Sequence, residues 1–359
     1  MNDLAHVLLV LKELNLENEI VKIQSFGSGL VNNTWLVNLK TNKIIVQRIN
    51  KNIFKNPEYI DHNLNILANY FSENYPEYIF TKPLSNPFGK TLFYIQNEYY
   101  RAYEYINNSY SYNTIEKENL AYEAARQFGK FTSQCTCVDI SKIKPTIPNF
   151  HHLTLRYQNF EQVLRKTKIE KKKEAKYLIQ KIANKNYLVE HYNLIRTKEK
   201  LKLRIIHHDT KINNVLFDVN NKAICIIDLD TIMPGYYISD VGDMMRTYLS
   251  QADENEIDTT KINIRSEYFK AIAEGYLEQM KNSLIEEELN EFVFSGEFMI
   301  YMQAVRFLTD YLEDNKYYAT NYPLQNFDRA KNQMVLLEKY EEMIPYFKNF
   351  IRNKLYYIL

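Results

Sequence analysis

This 359-residue sequence predicts an α+β fold of two unequal lobes: a small antiparallel sheet followed by a large, mainly helical body. Three observations carry that reading. The length exceeds what one hydrophobic core usually organises. Before residue 105, short segments alternate apolar and polar residues around turns, whereas beyond it apolar residues recur at helical spacing. A pair of short apolar strands at 215–227 interrupts the helical half, and its flanking loops are rich in carboxylates and amides. The expected lobes are residues 1–105 and 106–359, with a short hinge between them.

The elements follow in order. Residues 1–16 place Leu4, Val7, Leu8, Leu11 and Leu14 on one helical stripe, with Asp3, Lys12 and Glu13 between them. Residues 20–26 read as a strand that enters Gly27-Ser28-Gly29-Leu30-Val31-Asn32-Asn33-Thr34. The chain resumes as strand at 35–39, turns at 40–43, and forms a third strand at 44–49. Strand, glycine turn, strand, turn, strand is an antiparallel meander, unlike the strand-to-helix entry of a dinucleotide fold or a P-loop. Ile60, Leu64, Leu67 and Ala68 mark a helix at 59–70. Strands 92–95 and 98–105 pair around Gln96-Asn97, a hairpin signal. Helices are expected at 116–132, 153–166, 169–184, 187–191, 268–278, 287–311 and 327–349. In the first of these Ala121, Ala124, Ala125 and Gly129 permit close packing.

Composition narrows the function. The formal net charge is +1, so nothing global calls for nucleic acid or an acidic membrane as partner. Residues 1–16 lack a signal peptide's basic start and cleavage site, and no apolar run reaches membrane-spanning length, so a cytoplasmic protein is expected. The three cysteines lack the spacing of a zinc site or a disulfide framework. Lys171-Lys172-Lys173 reads as a solvated helix face. A monomer or weak dimer is expected.

The chemistry lies in His207-His208-Asp209-Thr210-Lys211-Ile212-Asn213-Asn214, followed by Ile226-Ile227-Asp228-Leu229-Asp230. Phosphoryl transfer from ATP needs a carboxylate to take the proton of the attacking hydroxyl. It also needs hard oxygen donors to hold Mg²⁺ against the phosphates. Asp209 is the expected base and also orients the acceptor. Asn214 and Asp228 are the expected metal ligands, with Asp230 beside them. His207 is read as a structural residue that bonds backbone carbonyls and stiffens the loop. Lys211 is placed either near the transferred phosphoryl group or in solvent. The backbone of Ser28, Gly29 and Leu30, with the hydroxyl of Thr34, is the candidate phosphate cover. Arg48 is expected to reach the α- and β-phosphates. Glu104 and Tyr105, at the hinge, complete the nucleotide set. Asp240 and Asp243 are read as supports for the catalytic-loop backbone. Arg306 either pairs with Asp310 or meets the acceptor together with Tyr317.

These residues resemble the aminoglycoside phosphotransferase and choline kinase superfamily, whose signature is His-x-Asp-x4-Asn followed by an Ile-Asp strand. Within it the likeness is to N-acetylhexosamine 1-kinases. It rests on GSGLVNNTWLV (27–37), IIVQRIN (44–50), DTKINNVLFD (209–218), IDLDTIMPG (227–235), DVGDMMRTY (240–248) and RFLTDYLEDNKYY (306–318). The resemblance implies a bilobal protein-kinase-like fold. It also implies ATP- and Mg²⁺-dependent phosphorylation of the anomeric hydroxyl of N-acetylglucosamine or N-acetylgalactosamine. Asp209 would then be the base, Asn214 and Asp228 would serve the metal, and Arg306 would face the sugar. The pattern departs from protein kinases at Arg48, where lysine is usual, and only Glu58 and Asp61 are near enough in sequence to pair with it. Kinases of an aminoglycoside, choline, homoserine or methylthioribose are the nearest rivals. A nucleotide-binding scaffold without catalysis is the rival from another class.

Overall fold

A computed structural model describes residues 3–27 and 31–356. Ser28, Gly29 and Leu30, the expected phosphate cover, lie outside the described residues. Helix α1 (Asp3–Glu13) precedes strands β1 (Ile20–Ser25), β2 (Asn33–Leu39) and β3 (Lys43–Ile49). Helix α2 (Pro57–Asn74) follows, with proline in its first turn, where a missing N–H costs nothing. Strands β4 (Phe93–Ile95) and β5 (Glu98–Glu104) close an antiparallel sheet of order β1-β2-β3-β5-β4. Gln96 and Asn97 both take left-handed φ, 48° and 67°, as a tight turn matched to strand twist requires.

One face of this sheet packs Trp35, Val37, Ile44, Val46 and Tyr100 against Val7, Val10 and Leu11 of α1. The stripe on α1 is rotated from the expected one: His6, Val7, Val10 and Leu11 are buried, while Leu4 and Leu8 face solvent. His6 turns inward because its ring bonds the Tyr100 hydroxyl and Gln96, each at 2.8 Å. The opposite face of the sheet looks toward the larger lobe.

That lobe begins with α3 (Glu118–Gln134), α4 (Leu153–Lys166), α5 (Ile169–Glu174), α6 (Lys176–Asn184) and α7 (Tyr187–Thr197). Strands β6 (Arg204–Ile206), β7 (Val215–Phe217), β8 (Ala223–Ile226) and β9 (Met233–Gly235) come next. The chain then forms α8 (Ile238–Tyr248), α9 (Ser266–Met280), α10 (Glu286–Asn290), α11 (Phe294–Leu312) and α12 (Gln325–Tyr356). β6 pairs with β9, and β7 with β8. The two β ladders hold the loops that carry the chemistry. Gly275 permits the close crossing of α3 and α9, since a Cβ there would run into the backbone carbonyl of Tyr122. No described helix is long and apolar enough to cross a membrane.

Two helices expected to be continuous are broken. The 169–184 segment splits at Ala175, which is fully buried. The 287–311 segment splits between α10 and α11 because Glu288 is anchored. Its carboxylate takes the Arg204 guanidinium at 2.5 and 2.7 Å and the backbone N–H groups of Lys202 and Ile285. Periodicity does not encode such a long-range anchor.

Candidate active site

The loop after β6 is held from below by α8. Asp240 accepts the backbone N–H of His207 at 3.0 Å and of His208 at 2.7 Å, and Asp243 accepts that of Thr210 at 2.9 Å. The Thr210 hydroxyl donates back to the Asp240 carbonyl at 2.8 Å. Arg246 locks Asp243 at 3.0 Å and Glu254 at 2.8 Å. His207 is fully buried; its Nε2 donates to the Ile227 carbonyl at 3.0 Å, and its Nδ1 accepts from the N–H of Asp209 at 3.3 Å. It ties the loop to the strand end that carries Asp228, as its reading as a structural residue requires. His208 adopts φ 66°, and its Nδ1 donates to the Thr231 carbonyl at 3.0 Å. Gly235 lies against this ring, so close that a Cβ there would collide with it.

Asp209, Lys211, Asn214 and Asp228 converge on one cleft of about 390 Å³ between the lobes, with Thr34 and Gln47 on its upper wall. Burial alone would raise Asp209's carboxyl, but Lys211 and His207 outweigh it and hold the group below its usual value. Lys211 Nζ lies 3.3 Å from Asp209, whose charge raises the lysine in turn. Asp209 is therefore an anion ready to accept a proton bond.

Asn214 Nδ2 donates to the Asp209 carbonyl at 2.9 Å and to its carboxylate at 3.1 Å, which leaves Oδ1 as an acceptor. Asp228 sits in the left-handed region at φ 58° and is reachable from the cleft. Enclosure by the cleft walls, then the neighbouring Asp230 and Asp209, push its carboxyl up to about 7. A divalent cation would relieve that crowding. Among the described residues no three His, Cys, Asp or Glu side chains form a metal cage. One amide oxygen and one carboxylate suit Mg²⁺, which keeps several waters and takes other ligands from phosphate.

The upper wall departs from expectation. Arg48 points to the α1 face of the sheet, where it pairs with Asp3 at 2.7 Å and donates to Asn33 at 2.9 Å. The cleft face at that level carries Gln47 instead, flanked by Thr34 on β2 and Arg101 on β5. Arg101 is 2 % exposed and forms an ion pair with Asp230. Asp230, expected beside the metal, is thus occupied by Arg101 and by Asn32, which donates to it at 2.7 Å. Sequence alternation missed Gln47 because β3 is apolar on both faces, and Arg101 because it stands alone on β5, outside any contiguous motif. Glu104 ends β5 and Tyr105 follows it, its N–H bonding the Lys43 carbonyl at 3.0 Å. Neither lines the cleft.

Beyond His208 lies an aromatic and cationic cluster. The His208 ring centroid is 6.3 Å from Phe150 and 5.4 Å from His151. Arg306 stacks over Phe150, Tyr317 and Tyr318 at 5.2, 5.8 and 5.4 Å. It does not pair with Asp310, which accepts the N–H groups of Tyr317 and Tyr318 and the Asn326 amide. Arg156 joins the cluster by donating to the Phe150 carbonyl at 2.9 Å; burial and then Arg306 push its guanidinium down to about 10.

Solved structures share this architecture. An aminoglycoside phosphotransferase from Alicyclobacillus acidocaldarius superposes with a TM-score of 0.64 at 10% identity, covering 93% of each chain. A spectinomycin phosphotransferase solved with ADP and spectinomycin gives a TM-score of 0.59 at 17% identity, over 94% of this chain and 98% of that one. A choline kinase from Cryptosporidium parvum gives 0.57 at 14% identity, over 95% and 96%. At these identities the likeness establishes the fold, a small antiparallel-sheet lobe on a larger helical one. A family model described as the phosphotransferase enzyme family APH matches residues 22–274, which include nearly all of the sheet and the loop at 207–214. With most of its length inside that match, the chain belongs to the APH phosphotransferase family.

Proposed function

We propose that this phosphotransferase moves the γ-phosphoryl group of ATP to the anomeric hydroxyl of an N-acetylhexosamine, giving the sugar 1-phosphate. The observation that carries the phosphoryl-transfer reading is the convergence of ionised Asp209, Lys211, Asn214 and Asp228 on one cleft. Asp209 accepts the hydroxyl proton as the acceptor oxygen bonds to the γ-phosphorus. The bond from that phosphorus to the β–γ bridging oxygen breaks, and ADP leaves. Lys211 offsets charge on the transferred group. Asn214 and Asp228 hold Mg²⁺, which when bound supplies charge neutralisation at the phosphates. The ADP in the spectinomycin phosphotransferase structure supports ATP as donor.

The acceptor class rests on the sequence resemblance and on the cluster around Arg306. A quaternary ammonium would need an open aromatic cage, but the Phe150, Tyr317 and Tyr318 rings already hold a guanidinium. A polycationic aminoglycoside would meet Arg156 and Arg306 here. A neutral sugar with an acyl carbonyl instead offers an acceptor for an arginine N–H and an apolar ring face for tyrosine.

Incubation with Mg-ATP and a panel of N-acetylglucosamine, N-acetylgalactosamine, glucose, choline and an aminoglycoside, read by ³¹P NMR, tests this. A phosphate doublet coupled to the anomeric proton is expected with the two N-acetylhexosamines. Turnover of choline or the aminoglycoside alone would overturn the acceptor assignment. Arg306→Ala should raise the acceptor's KM about tenfold, the worth of one charged hydrogen bond, and leave that of ATP nearly unchanged.

A further inference from the structure

In many nucleotide-binding sheets a cation meets the α- and β-phosphates, yet the cleft face of β3 presents an uncharged amide. Gln47 Oε1 accepts from Arg101 Nε at 3.2 Å and Nη2 at 3.0 Å, while its Nε2 donates to the Thr34 hydroxyl at 3.2 Å. Flipping the amide would set its NH₂ against the guanidinium, donor against donor. Gln47 is therefore locked with its N–H groups away from Arg101 and along the cleft wall.

Arg101 itself is buried, and its Nη1 has no partner. Its counter-charge comes from below, from Asp230, rather than from α2. On α2, Glu58 takes the Tyr99 hydroxyl and Asp61 takes the Thr91 hydroxyl and the Asn65 amide. Asp230 also holds Asn32, whose own Oδ1 accepts the Asn50 N–H at 3.0 Å. One buried carboxylate thus fixes both Arg101 and the chain leaving the glycine turn.

We propose that Gln47 is the sheet's contact to the nucleotide phosphates, a neutral amide held donor-outward by Arg101, with Asp230 as that arginine's counter-charge. Arg101 is a positioning residue acting through Gln47. The inference rests on the nucleotide reading above but is independent of which alcohol accepts the phosphoryl group.

Calorimetric titration of Mg-ATP and of adenosine separates phosphate contacts from base contacts. Gln47→Glu is isosteric and gains an ion pair with Arg101, so its melting temperature should hold. Its carboxylate, however, repels the phosphates. We expect Mg-ATP affinity to fall at least about tenfold, a charged hydrogen bond lost, and adenosine affinity to stay within about twofold. The charge-neutral pair Arg101→Met with Asp230→Asn should melt near the wild type and yet lose Mg-ATP affinity, because Gln47 is then free to flip. Wild-type Mg-ATP affinity in Gln47→Glu, or equal losses of both ligands, overturns the role of Gln47. That variant decides the matter by itself should the double one fail to fold. Wild-type Mg-ATP affinity in a folded double variant overturns the role of Arg101. A wild-type protein that binds no Mg-ATP sinks the nucleotide reading and this inference together.

Discussion

The loop at 207–214 and the strand at 43–49 both bring polar side chains to the interlobe cleft, but by different physical means. In the loop, backbone N–H groups are pinned one by one to Asp240 and Asp243, so side-chain direction follows from residue spacing. In the strand, direction follows from parity, and a shift of one residue moves a side chain to the other face. Asp209 therefore stands where its spacing from Asn214 and Asp228 puts it. Arg48 stands with Asp3, and its neighbour Gln47 takes the cleft. Position in a braced loop thus follows from spacing along the chain, whereas position in a strand with apolar residues on both faces needs its register.

The largest effect that would break this contrast concerns the loop. Asp209→Asn should lower kcat by about 10²–10⁴-fold, the usual worth of a general base, with the melting temperature unchanged. Near-normal turnover would remove Asp209 as the base and undo the reading of the whole loop.

Next in size is the brace. Asp240→Ala strips the buried N–H groups of His207 and His208 of their acceptor, at about 1–3 kcal/mol for each. Chemical denaturation should show a loss of that order. A neutral result would mean that the loop holds itself.

A pH test sharpens the same point. Burial pushes His208 down to about 3 from an unfolded value near 6.5. Below 6.5 the unfolded chain binds a proton that the folded one refuses, so stability is lost as pH falls from there toward 3. The contribution is about 1.4 kcal/mol per pH unit. His207 is also held low by burial, and Asp240 is pushed up from 3.8 to about 7, which adds an opposite slope across that same interval. The decisive measurement is therefore the difference between the wild type and His208→Gln, whose amide can still donate toward Thr231. Denaturation from pH 4 to 6 should be less acid-sensitive in the variant by about one proton. Parallel curves would mean that His208 is not held neutral by the fold.

The smallest effect belongs to the strand. Arg48→Ala breaks a surface pair with Asp3, worth below about 1 kcal/mol, and should leave the KM for ATP within about twofold. A large rise in that KM would return Arg48 to the nucleotide site and collapse the contrast.

Much of the architecture was readable before any coordinates. The meander, the 96–97 hairpin and most helices followed from period and turn chemistry, which are local. The breaks at Ala175 and before Phe294 were not, because burial and the anchoring of Glu288 on Arg204 reach across the fold. In the cleft, Asp209, Asn214 and Asp228 come together as their spacing predicts, with Lys211 beside them. Gln47 and Arg101 were missed because neither belongs to a contiguous motif; they meet only when β3 and β5 pair.

Sequence alone determined which polar groups stand together in the cleft, since a short loop between paired strands can present an Asp and an Asn five residues apart in few ways. It also determined the two-lobed plan, since hydrophobic period is a property of neighbours along the chain. Tertiary structure decided which face each strand residue occupies, which carboxylate stays open to a metal, and which is spent on an arginine. Asp228 and Asp230 are two residues apart and chemically identical. Only the approach of Arg101 and Asn32 from the other lobe buries one and leaves the other in the cleft.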